Sequence, residues 1–315
     1  MQEPKEIACD NVNAAIDSWT RENGYRLDMI VPADSPDTAL LSHNGEQILL
    51  RCDAGPRLSG QSGDADVLPK GRIRSEKWIT GRAGMQYRNL IPGRLGGRLI
   101  ASHIRLAKGG EVPDYVHYHK VRFQMIFCVR GAIRVVYEDQ GEPFWLRPGD
   151  CVLQPPEIRH RVLWAEAGSE VVEVGMPAVH ETWVEHEIKL PTAQVNPDRI
   201  FNGQRFVRSI ASKSVWSNAV DGGFEYADTG IASATQGVAD VVVIRINSLG
   251  GLVKLILPPP EKSFSIFFVL RGNAEIDFND GGITEIFAHD CFLADATANI
   301  DFVGASEFEA LVISI

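Results

Sequence analysis

The chain has 315 residues, 44% of them hydrophobic, enough for roughly two domains with ordinary apolar cores. Its 41 acidic residues outnumber 31 basic ones, and the formal charge of −10 argues against a phosphate backbone as the main partner. No apolar run reaches the ~20 residues of a membrane helix, and no basic-then-apolar leader opens the sequence. The five cysteines (9, 52, 128, 151, 291) are dispersed, odd in number and without CxxC spacing. Together these features predict a cytoplasmic protein with reduced thiols and with neither nucleic acid nor membrane as a partner.

Residues 1–55 contain one helical segment, 13–24, in which Ile16 and Trp19 share a face and Gly24 ends the run. Strand-like runs at 6–9, 25–31, 38–42 and 47–51 flank it, so the expected order is β-α-β-β-β. Residues 56–97 read as a basic linker with a lead-in strand. Between positions 70 and 98, eight basic residues (Lys70, Arg72, Arg74, Lys77, Arg82, Arg88, Arg94, Arg98) face one acid, Glu76. Such a run is either a solvated connector on an acidic body or a basic rim near an anionic ligand.

From residue 98 onward, short strands alternate with Gly, Pro and Asp turns, an all-β texture. The pattern also repeats. Phe127-Cys-Val-Arg-Gly131 returns as Phe268-Val-Leu-Arg-Gly272, and Asp150-Cys-Val-Leu153 as Asp290-Cys-Phe-Leu293, at nearly one offset. Two copies of one β unit, 98–192 and 205–315, are therefore expected as two small barrels, which remove exposed sheet edges by closing.

Three of the eight histidines fall at telling places in the first copy. His117 and His119 alternate along a strand-like run and so share a face. Gln124 opens the next strand, and His160 follows the turn at 147–150 and the strand that begins at Cys151. On these residues the sequence resembles the cupin superfamily. Gly110, His117, His119, Gln124 and Gly131 match its first motif, with one extra residue before the first His and Gln in place of Glu. Gly149, Pro155 and His160 match the second, with Glu157 in place of an inner Gly. The resemblance covers 98–190 by motif and 205–315 by repeat. It implies a mainly β bicupin: two tandem jelly-roll barrels preceded by a small βαβββ module.

The resemblance further implies that His117, His119 and His160 coordinate one divalent transition metal per chain. Gln124 would be a fourth ligand or a hydrogen-bonding neighbour. Fe(II) is favoured for such a nitrogen site, with Zn, Mn or Ni as alternatives; ordinary packed histidines are the plain alternative. In the second copy the equivalent positions are Pro258, Pro260, Ser265 and Ile300, none a ligand, so that barrel is expected to be structural. Strand parity adds Tyr115 beside His117, Ile126 and Cys128 beside Gln124, and Val162 and Trp164 beside His160, as walls of a small-molecule pocket. By the same logic His103 faces outward, and His180 and His186, near Glu181, Glu185 and Glu187, are solvated.

The N-terminal module, with Ala14-Ala-Ile-Asp-Ser-Trp and Gly24-Tyr-Arg-Leu, resembles one half-module of the glyoxalase, or vicinal-oxygen-chelate, superfamily. Its outer strands lack a clear His/Glu ligand pair. A half-module wants a partner surface, which predicts a homodimer; the plain alternative is a small αβ cap on the barrel. Three functions are consistent with these residues. The first is a non-haem Fe(II) dioxygenase acting on a small chelating aromatic acid or dicarbonyl. The second is a metal-assisted isomerase or lyase in which Tyr115 or Glu157 moves protons, and the third a non-catalytic ligand-binding or regulatory bicupin.

Overall fold

The computed structural model describes residues 3–52, 72–73, 77–81, 84–219, 223–246, 253–255, 263–278, 282–295 and 300–315. Lys70, Arg74, Arg82, Pro258 and Pro260 lie outside the described residues.

The N-terminal module has the expected order: β1 (Lys5–Ala8), α1 (Val12–Glu22), β2 (Arg26–Val31), β3 (Thr38–His43) and β4 (Glu46–Arg51). The helix starts at Asn11, whose side-chain oxygen accepts from the Ala14 amide at 2.9 Å and satisfies one of the free first-turn donors. Its apolar stripe, Val12, Ile16 and Trp19, packs on Ile30, Leu41 and Leu50 of the sheet. The strands are ordered β1-β4-β3-β2, with β1 parallel to β4. The edge strand β2 pairs with Thr182–Val184 of the first barrel, so the module's sheet continues into the barrel.

That pairing makes one sheet of the module and half of the first barrel. Beyond Thr182–Val184 come His117–His119, His160–Ala165, Ile133–Tyr137 and Phe144–Leu146. The other half of the barrel runs Cys151–Leu153, Phe123–Arg130, Ser169–Met176, Ile100–Leu106 and Gln86–Asn89. The second barrel is built on Asp240–Ile246, Ile300–Ser314, Phe264–Asp277 and Cys291–Asp295. The repeat is visible in the register, because Phe127 pairs with Cys151 and its echo Phe268 with Cys291. The barrels also exchange short segments. Val207–Ser209, in the stretch assigned to the second barrel, pairs with Cys151–Leu153 of the first, and Arg72–Ile73 pairs with Cys291 and Phe292 of the second.

The two barrels pack through equivalent sheet faces. Phe123, Phe127 and Val172 of the first meet Phe264, Phe268 and Leu311 of the second in one apolar cluster. This is why the strands of the first barrel's inner sheet are buried on both faces, one toward the barrel interior and one toward the second barrel. His103 shows the consequence. The parity argument rightly separated it from Ile100, Ile104 and Leu106, but the opposite face is the inter-barrel junction, and His103 is fully buried there. Arg88 Nη2 lies 2.9 Å from His103 Nδ1, and Glu170 Oε2 lies 2.9 Å from its Nε2. Among the described residues, no helix is long and apolar enough to cross a membrane.

Candidate metal centre

His117 and His119 occupy alternate positions of one short strand, and His160 begins the neighbouring strand directly opposite His117. Alternation points the first two imidazoles into the barrel and the register brings the third beside them, with ring centroids 4.3 Å from His117 and 5.2 Å from His119. One ligand atom from each ring lies within 4.8 Å of the others, and all three residues are buried.

Their tautomers are set by what holds the far side of each ring. His117 Nδ1 is 2.8 Å from the Tyr115 carbonyl and His160 Nδ1 is 2.9 Å from the Ile158 carbonyl. A carbonyl can only accept, so both Nδ1 atoms carry the proton and both Nε2 atoms present a lone pair. His119 Nδ1 is anchored at 2.8 Å by Thr182 Oγ1. Asp114, with its Oδ1 3.7 Å from His117 Nδ1, adds negative charge behind that ring and ties its other oxygen to the Val162 amide. Three buried imidazoles with their outer nitrogens committed form a donor set that fits a divalent transition metal.

The centre opens on a cavity of about 80 Å³. Ile126 and Val162 line it, together with Gln124 and the three histidines. Tyr115, Cys128 and Trp164 do not. Tyr115 sets its ring edge-on to His117 at 5.8 Å and serves the site through its carbonyl. Cys128 is fully buried in the apolar packing with Ile133 and Val152, and burial pushes its thiol up to about 12. Trp164 is 47% exposed. The reason is a bulge: Val135 pairs with Val162 and Arg134 with Trp164, so Leu163 is an extra residue and alternation slips by one after Val162. Glu157 also lies outside the lining; it takes the left-handed φ of 63° at the position where the motif expects glycine.

Several lining residues were not anticipated. Glu173 is one, and its Oε1 accepts from Gln124 Nε2 at 2.5 Å. The strand Ser169–Met176 conceals it because both faces are covered; its parity with the lining residue Val171 was the available signal. His180 was read as solvated. It is instead buried against the cavity, with Nδ1 donating to the Pro177 carbonyl at 2.8 Å, and burial holds its pKa below the usual imidazole range. His186 is partly exposed and meets Asp28 of β2. Gln154 contributes a buried amide that donates to Tyr137 Oη at 3.0 Å.

The N-terminal module also reaches the site. Ala33 and Asp34, in the loop after β2, form part of the cavity wall. Asp34 Oδ2 is 2.5 Å from Arg94 Nη2, with both side chains nearly buried. Arg88 and Arg94, counted above in a basic connector, are therefore internal: one braces the barrel junction, the other clamps the module loop. In the second barrel, Ser265 hydrogen-bonds Ser314 at 2.7 Å, Ile300 is fully buried, and Phe267, Phe292, Phe302 and Phe308 fill the interior. Among the described residues the histidine triad is the one cluster of potential metal ligands.

Residues 102–176 match the family model described as a cupin domain. A search of curated proteins finds no match to the chain. Among solved structures the chain is similar to the oxalate decarboxylase of Lactobacillus farciminis in its formate complex, at 14% identity over 79% of this chain and 88% of that one, with a TM-score of 0.51. A mutant of salicylate 1,2-dioxygenase from Pseudoaminobacter salicylatoxidans is similar at 13% identity over 69% and 70%, TM-score 0.50. The Bacillus subtilis oxalate decarboxylase, with Mn(II) centres, is similar at 12% identity over 80% and 78%, TM-score 0.52. At such identities these likenesses bear on the fold, that of tandem cupin barrels.

Proposed function

We propose that the first barrel, whose residues 102–176 match the cupin domain model, is the catalytic half of a metal-dependent enzyme, in which the Nε2 atoms of His117, His119 and His160 hold one divalent transition metal. The observation that carries this reading is the convergence of three buried imidazoles whose outer nitrogens are all committed. The reaction we favour is dioxygenation by a non-haem Fe(II) centre. When bound, the metal supplies Lewis acidity and, as Fe(II), electrons for dioxygen chemistry.

The chain's own residues define the substrate. Three neutral nitrogens put no negative charge directly on a divalent ion, which favours an anionic, chelating molecule. A cavity of about 80 Å³ is smaller than the ~150 Å³ void that accepts benzene, so a small dicarbonyl or short acid fits better than an aromatic one. Ile126 and Val162 hold the carbon skeleton and exclude water. A redox-neutral lyase or isomerase is the second reading, supported by Glu173, a carboxylate in the cavity that can accept a proton from a bound substrate.

The test is metal analysis of protein purified without added metal, beside the variant His117→Ala/His160→Ala. We expect about one transition-metal ion per wild-type chain and none in the variant. Iron together with oxygen uptake on small dicarbonyls supports the dioxygenase; turnover without oxygen on manganese, zinc or nickel supports the lyase or isomerase. Protein that takes up no metal after anaerobic reconstitution would leave a binding barrel and overturn both.

A further inference from the structure

We propose that Glu173 is the positioning carboxylate of the metal centre: it carries, one strand further out, the negative charge that the family motif places at position 124, and it turns the Gln124 amide so that Oε1 is the end offered to the ion. This inference rests on the metal-centre reading above.

Gln124 is 1% exposed, and both it and Glu173 line the cavity with the three histidines. Their strands are adjacent and antiparallel, with Gln124 opposite Gly175 and Ile126 opposite Glu173, so the two side chains meet diagonally on the interior face. The contact is 2.5 Å. The contact runs from Gln124 Nε2 to Glu173 Oε1, so the amide nitrogen faces the carboxyl group and the carbonyl oxygen is the end left for the cavity. An alanine or leucine at 124 would give up that end; a glutamate there would oppose Glu173 carboxylate to carboxylate. Glutamine is the residue that passes the negative charge on, its N–H group polarised by Glu173 and its oxygen made a better donor. Outer-shell partners of this kind typically set metal affinity by 10–100-fold.

The experiment compares wild type, Glu173→Gln and the exchange variant Gln124→Glu/Glu173→Gln in the full-length chain. Mn²⁺ and Co²⁺ affinities are read by titration calorimetry, and the Co²⁺ site by visible absorption. Glu173→Gln keeps size and hydrogen-bonding capacity but removes the charge; we expect it to bind both ions about 10–100-fold more weakly. The exchange variant puts the carboxylate back at 124 with a neutral partner behind it. We expect it to regain or exceed wild-type affinity and to shift the Co²⁺ bands, because a carboxylate oxygen replaces an amide oxygen beside the ion. Since it preserves the charge and size of the pair, it remains informative where Glu173→Gln folds poorly. Equal affinity in wild type and folded Glu173→Gln, or an exchange variant with unchanged Co²⁺ bands, would overturn the inference while leaving the metal centre standing. A wild type that binds neither ion would remove the metal centre itself.

Discussion

Lowering the pH from 7 to 5 should destabilise the junction between the barrels through His103. The ring is fully buried, edge-on to Phe268, with Arg88 against Nδ1 and Glu170 against Nε2. Arginine can only donate, so Nδ1 accepts and the single ring proton lies on Nε2, facing Glu170. Burial, reinforced by the Arg88 charge, pushes its pKa down to about 3. In the unfolded chain it returns to about 6.5. Between these values the unfolded state binds a proton that the folded state refuses. The stabilisation is therefore complete above about pH 6.5 and is lost as the pH falls toward 3. Integrating from pH 7 to 5 gives a loss of about 2 kcal/mol from this one group. The assay is urea unfolding at both pH values for wild type and His103→Gln, which can still accept from Arg88 and donate to Glu170. His180, whose pKa burial also lowers, titrates in both proteins, so the difference reads His103 together with its coupling to His289 and Glu170. Equal acid losses in the two proteins would refute the reasoning.

Three further outcomes follow from other parts of the molecule. Breaking the nearly buried Asp34–Arg94 pair at one end, with Asp34→Asn or Arg94→Met, should destabilise by about 3 kcal/mol, and the double variant by less than the sum, measured by denaturant unfolding. Losses that simply add would show that the two groups do not act as a pair. Glu157→Gly should raise stability by about 0.5–1 kcal/mol, since glycine takes the observed left-handed φ without the penalty paid by a residue with a Cβ; a fall in melting temperature would contradict this. In native protein at pH 8, iodoacetamide should label Cys9 and Cys52 and spare Cys128, Cys151 and Cys291, whose thiols burial pushes upward. Peptide mass spectrometry reads the result, and rapid labelling of Cys128 would show that its packing is open.

The sequence by itself determined most of the elements and the histidine triad. The Ile16/Trp19 stripe and Gly24 mark the helix because periodicity and a left-handed stop are local effects, while the cap at Asn11 came from the structure. The two β copies show as a repeat because equivalent strands need the same turns and the same residues on the face where the barrels meet, hence Phe127–Cys151 and Phe268–Cys291. The pairing of His117 with His119 follows from strand alternation alone, and the family motif added His160. What lay beyond reach was everything decided by which surface covers a face. Parity put His103 opposite the barrel interior but could not say that a second barrel, not water, lay there. His180 and Arg94 look like surface residues until the structure packs one against His119 and pairs the other with Asp34 of the loop after β2. One bulge at Leu163 turned Trp164 outward, and a doubly covered strand hid Glu173 from any amphipathic signal. Local rules act through neighbouring backbone geometry and can be read from a single chain segment. Burial of a charged or aromatic side chain is set by contacts between segments remote in sequence, and only the tertiary structure supplies those.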